Sequence, residues 1–234
     1  MYAVLFDIDG TLLQTGGAGQ LAFAETFTAE FGVRELSGAV PFAGRSDRAI
    51  SMELMQLHGV IASEANWRRF RAAYLERLPA ALVARRGRVL PGVAPLLQSL
   101  VALRQPLVGL LTGNVRAGAE QKLAHYGLMQ HFSFGGFGDE KNERCDIAAA
   151  AVAEARRVAA ARHGGPRELS GVMVIGDTVH DISCARSIGA VAVAVPTGGA
   201  SREELADARP DLLLDDLSAP APLLELVMAA ASPN

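Results

Sequence analysis

Four stretches of this chain are apolar almost without interruption, and each is short: residues 2–8 (YAVLFDI), 107–111 (LVGLL), 172–175 (VMVI) and 191–195 (VAVAV). Runs of about five apolar residues indicate strands covered on both faces, the condition of a parallel sheet. Alanine-rich helical stretches such as residues 147–161 (IAAAAVAEARRVAAA) lie between them. Strand and helix in alternation imply right-handed crossovers and a doubly wound α/β fold.

One block breaks the alternation. From Gly16 to Arg88 the apolar residues recur at helical spacing: Leu21, Ala24, Phe27 and Phe31, then Ile50, Leu54 and Leu57, then Trp67, Phe70 and Tyr74. Phe23, Phe27 and Phe31 read as the core of this block. The glycine-rich residues 16–19 (GGAG) and the loop 87–92 (GRVLPG) bound it, and both suit hinges. The expected organisation is an α/β core of residues 1–15 and 89–234 carrying a helical cap of residues 16–88.

At 234 residues, half of them apolar, the chain can bury such a core. A net charge of −3 gives no footprint for nucleic acid or an anionic membrane, and no apolar run reaches spanning length. Asp7 and Asp9 interrupt the N-terminal apolar run, so it does not read as a secretory leader. Two cysteines, Cys145 and Cys184, suggest a reducing, cytoplasmic setting rather than a disulfide framework.

Ligands of an open parallel sheet bind at the carboxyl ends of its strands. The first run delivers Asp7, Asp9, Gly10 and Thr11 there, the second Thr112, Gly113 and Asn114, and the third Gly176, Asp177 and Thr178, with Asp181 four residues past Asp177. Four carboxylates on one rim would repel unless a cation bound among them, and oxygen ligands without His or Cys favour Mg²⁺.

The segments FDIDGTLL (residues 6–13), LLTGN (110–114) and VIGDTVHD (174–181) resemble three signature motifs of the haloacid dehalogenase superfamily, in its phosphatase branch of the phosphoglycolate phosphatase type. Residues 189–205 are similar to the family's fifth-strand segment. The resemblance implies a phosphomonoesterase acting on a small phosphate ester. Asp7 would be the nucleophile, forming an aspartyl-phosphate. Asp9 would be the general acid and then base, with its backbone carbonyl on the metal. Thr112, Gly113 and Asn114 would hold the phosphoryl oxygens, and Asp177 and Asp181 would join Asp7 and Asp9 around Mg²⁺. Asp181 also suits a helix N-terminus without any metal, and Asn114 a helix cap. His180 reads as a solvated neighbour of the site.

The family's basic residue is expected within GDEKNERCDI (residues 138–147), where this sequence lacks the usual Lys-Pro. Both Lys141 and Arg144 are candidates; Arg144, nearer the helix, is preferred because its guanidinium can serve phosphate and carboxylate together. In the turn FAGRSD (residues 42–47), Arg45 or Arg48 could meet an anionic leaving group. A phosphomutase would share every core residue. Asp9 argues against a dehalogenase, and the retained Asp7, Asp9 and Asp177 argue against a non-catalytic binding protein.

Overall fold

The computed structural model describes residues 1–103, 106–165 and 168–231. A six-stranded, wholly parallel sheet forms from β1 (Tyr2–Phe6), β4 (Leu107–Leu111), β5 (Gly135–Gly136), β6 (Gly171–Gly176), β7 (Val191–Ala194) and β8 (Leu212–Leu213). Their spatial order is β5-β4-β1-β6-β7-β8. Side chains of β1 alternate between two cores, as the pleat requires. Tyr2, Val4 and Phe6 pack with α4 (Val93–Ala102), α5 (Arg116–His125) and α9 (Ala221–Ala231). Ala3 and Leu5 pack with α6 (Arg144–His163), α7 (Val179–Ser187) and α8 (Arg202–Asp207). This is the doubly wound arrangement expected from the apolar runs. The two-residue edge strands β5 and β8 are too short to leave a periodic signal.

The block from Gly16 onward is helical: α1 (Ala18–Phe31), α2 (Asp47–Leu57) and α3 (Glu64–Ala84). Its own core joins Phe23, Phe27, Trp67, Phe70 and Tyr74, with Phe23 edge-on to Phe70 at 4.8 Å and to Tyr74 at 5.0 Å. Phe31 packs against its margin. The entry and exit chains pair as an antiparallel ribbon, β2 (Leu13–Gln14) on β3 (Arg88–Val89). Among the described residues, no helix is long and apolar enough to cross a membrane.

Candidate active site

The strand order reverses at β1, with β4 and β5 laid down on one side of it and β6, β7 and β8 on the other; the crevice this leaves lies beyond the strands' carboxyl ends. A cavity of about 410 Å³ occupies that place, between the sheet and the helical insertion. Asp7 follows β1 directly, tied to β6 by its amide, which donates to the Ile175 carbonyl at 3.0 Å. The chain then turns back through Gly10, whose φ of +89° suits glycine alone.

Asp7 is buried beside Arg144, whose Nη2 lies 2.9 Å from Asp7 Oδ1 and 2.5 Å from Asp181 Oδ1. Arg144 is the first residue of α6, three residues earlier than the alanine-rich run implied. It is buried, whereas Lys141 is exposed and does not line the cavity. Arg144 Nε is buried without a hydrogen-bond partner among the described residues. Of the two candidate cations, only Arg144 meets the aspartates.

Asp7, Asp177 and Asp181 each offer an oxygen within 4.8 Å of the others. Thr11 Oγ1 donates to Asp177 Oδ1 at 3.0 Å and the Gly199 amide to Oδ2 at 3.3 Å. A Cβ on Gly10 or Gly198 would strike that carboxylate, at 2.4 Å and 1.7 Å from Oδ2. The protein therefore builds a cradle around Asp177. Burial, reinforced by Asp7 and Asp181, pushes the Asp177 carboxyl up to about 8. Burial also raises Asp7 to about 6, with Arg144 opposing and Asp181 and Asp9 adding to the rise. With all three ionised, the buried carboxylates would exceed the one guanidinium by two negative charges, and their all-oxygen donor set fits a divalent hard cation. Asp181 combines both of its expected roles. It accepts from the Thr178 amide and hydroxyl in a capping box at the start of α7, and it also stands in the carboxylate cluster.

The second aspartate belongs to a different network. Asp9 Oδ2 accepts from Lys122 Nζ at 2.6 Å and from Asn114 Nδ2 at 2.8 Å. Lys122 Nζ also donates to Asn114 Oδ1 at 2.6 Å, and Asn114 Nδ2 reaches Thr112 Oγ1 at 2.8 Å. Asn114 is thus committed to Asp9, Lys122 and Thr112. It does not cap α5, whose N-cap is Val115.

The insertion contributes through its turn at residues 42–47. The Asp47 amide donates to the Gly113 carbonyl at 2.8 Å, and Asp47 Oδ2 accepts from the Val115 amide at 2.8 Å. A Cβ on Gly113 would lie 2.0 Å from the Arg45 carbonyl oxygen, so only glycine admits this approach. Burial raises the Asp47 carboxyl to about 6, with Lys122 opposing. Arg45 lines the cavity and pairs with Glu53 at 2.6 Å. Arg48 turns elsewhere, to Glu64 at 2.9 Å and over the Trp67 ring, and is not among the cavity's lining residues. His180 is exposed, against Gly44 of the same turn.

A sequence model of the haloacid dehalogenase-like hydrolases matches residues 4–186. The chain belongs to that family. A phosphoglycolate phosphatase from Synechococcus elongatus is 34% identical over 140 residues, 58% of this chain. The chain spans 58% of that relative's length. CbbY from Rhodobacter sphaeroides, solved in complex with phosphate, superposes with a TM-score of 0.70 at 21% identity, covering 93% of this chain and 95% of that one. A candidate β-phosphoglucomutase from Thermotoga maritima superposes at 0.60 with 20% identity, covering 97% of this chain and all of its own. At these identities the two structures bear on the fold alone.

Among the groups that line the cavity with the motif residues and that sequence reading passed over are Lys122, Asp47 and Tyr74. Lys122 had a signal. It shares the buried face of α5 with Gly118, Ala119 and Leu123, so a cation stands where the helical period calls for an apolar residue. Asp47 adjoined two arginines that drew attention instead. Tyr74 fitted the insertion's apolar period and also belongs to its core.

Proposed function

We propose that this family member is a Mg²⁺-dependent phosphatase of small phosphate esters, working in the cytoplasm through an aspartyl-phosphate. The observation that carries the reading is Asp7, gripped by Arg144 on the carboxylate cluster, with Asp9 held two residues on by a separate network. The relative described as a phosphoglycolate phosphatase supports a phosphate ester as substrate.

An oxygen of Asp7 attacks phosphorus, and the bond to the ester oxygen breaks as Asp9 gives that oxygen a proton. Asp9 then takes a proton from water, which attacks the phosphoryl group, freeing Asp7 and inorganic phosphate. Thr112, the Gly113 amide and Arg144 hold the equatorial oxygens, whose charge must be met in the transition state. Asp7, Asp177, Asp181 and the Asp9 carbonyl would hold Mg²⁺. The bound ion supplies charge neutralisation for the transferring group. Residues 16–88 serve as a cap that encloses the leaving group, with Arg45 available to it.

Mg²⁺-dependent release of inorganic phosphate from p-nitrophenyl phosphate and from a panel of alkyl phosphates tests this reading. Asp7→Asn abolishes turnover while the far-UV spectrum and melting temperature remain those of a folded protein. Transfer of the phosphoryl group to a second substrate hydroxyl, without free phosphate, would identify a mutase. Wild-type turnover by Asp7→Asn refutes the mechanism.

A further inference from the structure

We propose that Lys122 is a positioning residue for Asp9, an assignment that rests on the phosphatase reading above. Lys122 is 4% exposed, on the inward face of α5. Burying an ammonium costs several kcal/mol unless excellent partners meet it. Lys122 has two at 2.6 Å, the Asp9 carboxylate and the Asn114 side-chain carbonyl. An apolar residue at this face would suit the packing with Ala119 and Leu123, so core packing does not explain a lysine here.

The contacts do two things for Asp9. The ammonium holds Oδ2 directly. By engaging Asn114 Oδ1, it also orients that amide so that Nδ2 donates to the same Asp9 oxygen at 2.8 Å and to Thr112 Oγ1 at 2.8 Å. Two donors on Oδ2 fix the carboxylate plane and leave Oδ1 to exchange the proton with the leaving oxygen or with water. Asp9 needs this help because its side chain is 40% exposed, in the open mouth of the cavity, where it would otherwise sample several rotamers. Lys122 also ties the ends of two strands together, since Asp9 follows β1 while Asn114 and Thr112 follow β4.

The test separates protonation from folding. General acid–base catalysis contributes roughly 10²–10⁴-fold, so losing its geometry removes part of that, about 10- to 100-fold. Lys122→Met, of similar length and apolar, lowers kcat/KM by that much for an alkyl phosphate, whose alkoxide must be protonated as it leaves. For p-nitrophenyl phosphate, which leaves as a stabilised phenolate, kcat/KM falls less than about threefold. In an Asp9→Asn background Lys122→Met adds almost nothing, because residues acting as a unit are not additive. Equal losses on both esters, or full additivity with Asp9→Asn, overturn the assignment. Should Lys122→Met not fold, Lys122→Gln, whose shorter uncharged side chain withdraws the ammonium from Asp9 while tolerating burial, shows the same split between esters. A urea-unfolding cycle of Lys122→Met and Asp9→Asn reads the contact without any turnover; coupling of about two- to hundredfold in the unfolding constant is expected, and zero coupling overturns the inference. If wild type hydrolyses neither ester the phosphatase reading fails, and that cycle still decides the contact.

Discussion

Replacing Arg144 with alanine probes the charge balance on which the site depends. Its guanidinium is buried between Asp7 Oδ1 at 2.9 Å and Asp181 Oδ1 at 2.5 Å. Removing one partner of a buried ion pair costs about 3–5 kcal/mol, because the remaining charge is left without compensation. The cost depends on pH in a definite direction. Asp7, already raised to about 6, rises further without the cation, so its folded form takes up a proton more readily than its unfolded form. The destabilisation is therefore small near pH 4 and grows as pH rises toward 8. Urea unfolding of both proteins across that range measures it, and Mg²⁺ recovers part of the loss. Activity falls as well, since a charge-assisted bond to the phosphoryl group is worth about 1.5–3 kcal/mol, or roughly 10- to 100-fold, beyond any misplacement of Asp7. Exposed Lys141, substituted by alanine, changes stability by no more than about 0.5 kcal/mol and leaves kcat/KM near wild type. A crippled Lys141→Ala beside an active Arg144→Ala would refute the placement of the cation.

Two further outcomes follow from the same geometry. Because Asp177 is raised to about 8 and Asp7 to about 6, Mg²⁺ must displace protons, so its apparent affinity by calorimetry climbs between about pH 6 and pH 8 with proton release; a flat profile would remove these carboxylates from the ligand set. Gly113→Ala places a methyl group 2.0 Å from the Arg45 carbonyl oxygen, so the turn of residues 42–47 is pushed off the β4 loop; kcat/KM drops at least about tenfold while the core melts as in wild type, and unchanged kinetics would show that this approach does not matter for turnover.

Much of the fold was legible because its strands are covered on both faces. Burial of residues 107–111 and 173–176 from two sides demands unbroken apolar runs, and such runs can be read directly. Gly135–Gly136 and Leu212–Leu213 are only two residues long at the sheet margins, and close packing on Leu110 and Ile147 makes the first pair glycine, so neither leaves an apolar run to read. The start of α6 was misread for a related reason. Of its first turn only Arg144 is buried, and it lines the site, while Cys145 and Asp146 are exposed, so the alanine-rich period begins only at Ile147.

The site divides along the same physical line. Asp7, Asp9, Thr112 and Asp177 stand immediately after strands, where chain position alone brings them to one rim. Lys122 and Asp47 reach the rim through tertiary packing: one across two turns of α5, the other at the start of α2 in the helical insertion, more than sixty residues before its Val115 partner. Neither belongs to a local pattern of polar residues at a strand end. What betrays them is misfit to their surroundings, a charge on the buried face of a helix and an acid buried where the insertion meets the β4 loop. Burying Lys122 or Asp47 without partners would cost several kcal/mol each, so a charge held there is evidence of the groups that meet it. In Lys122 those groups are Asp9 and Asn114, and the misfit in the helix therefore points back to the aspartate proposed as the acid and base.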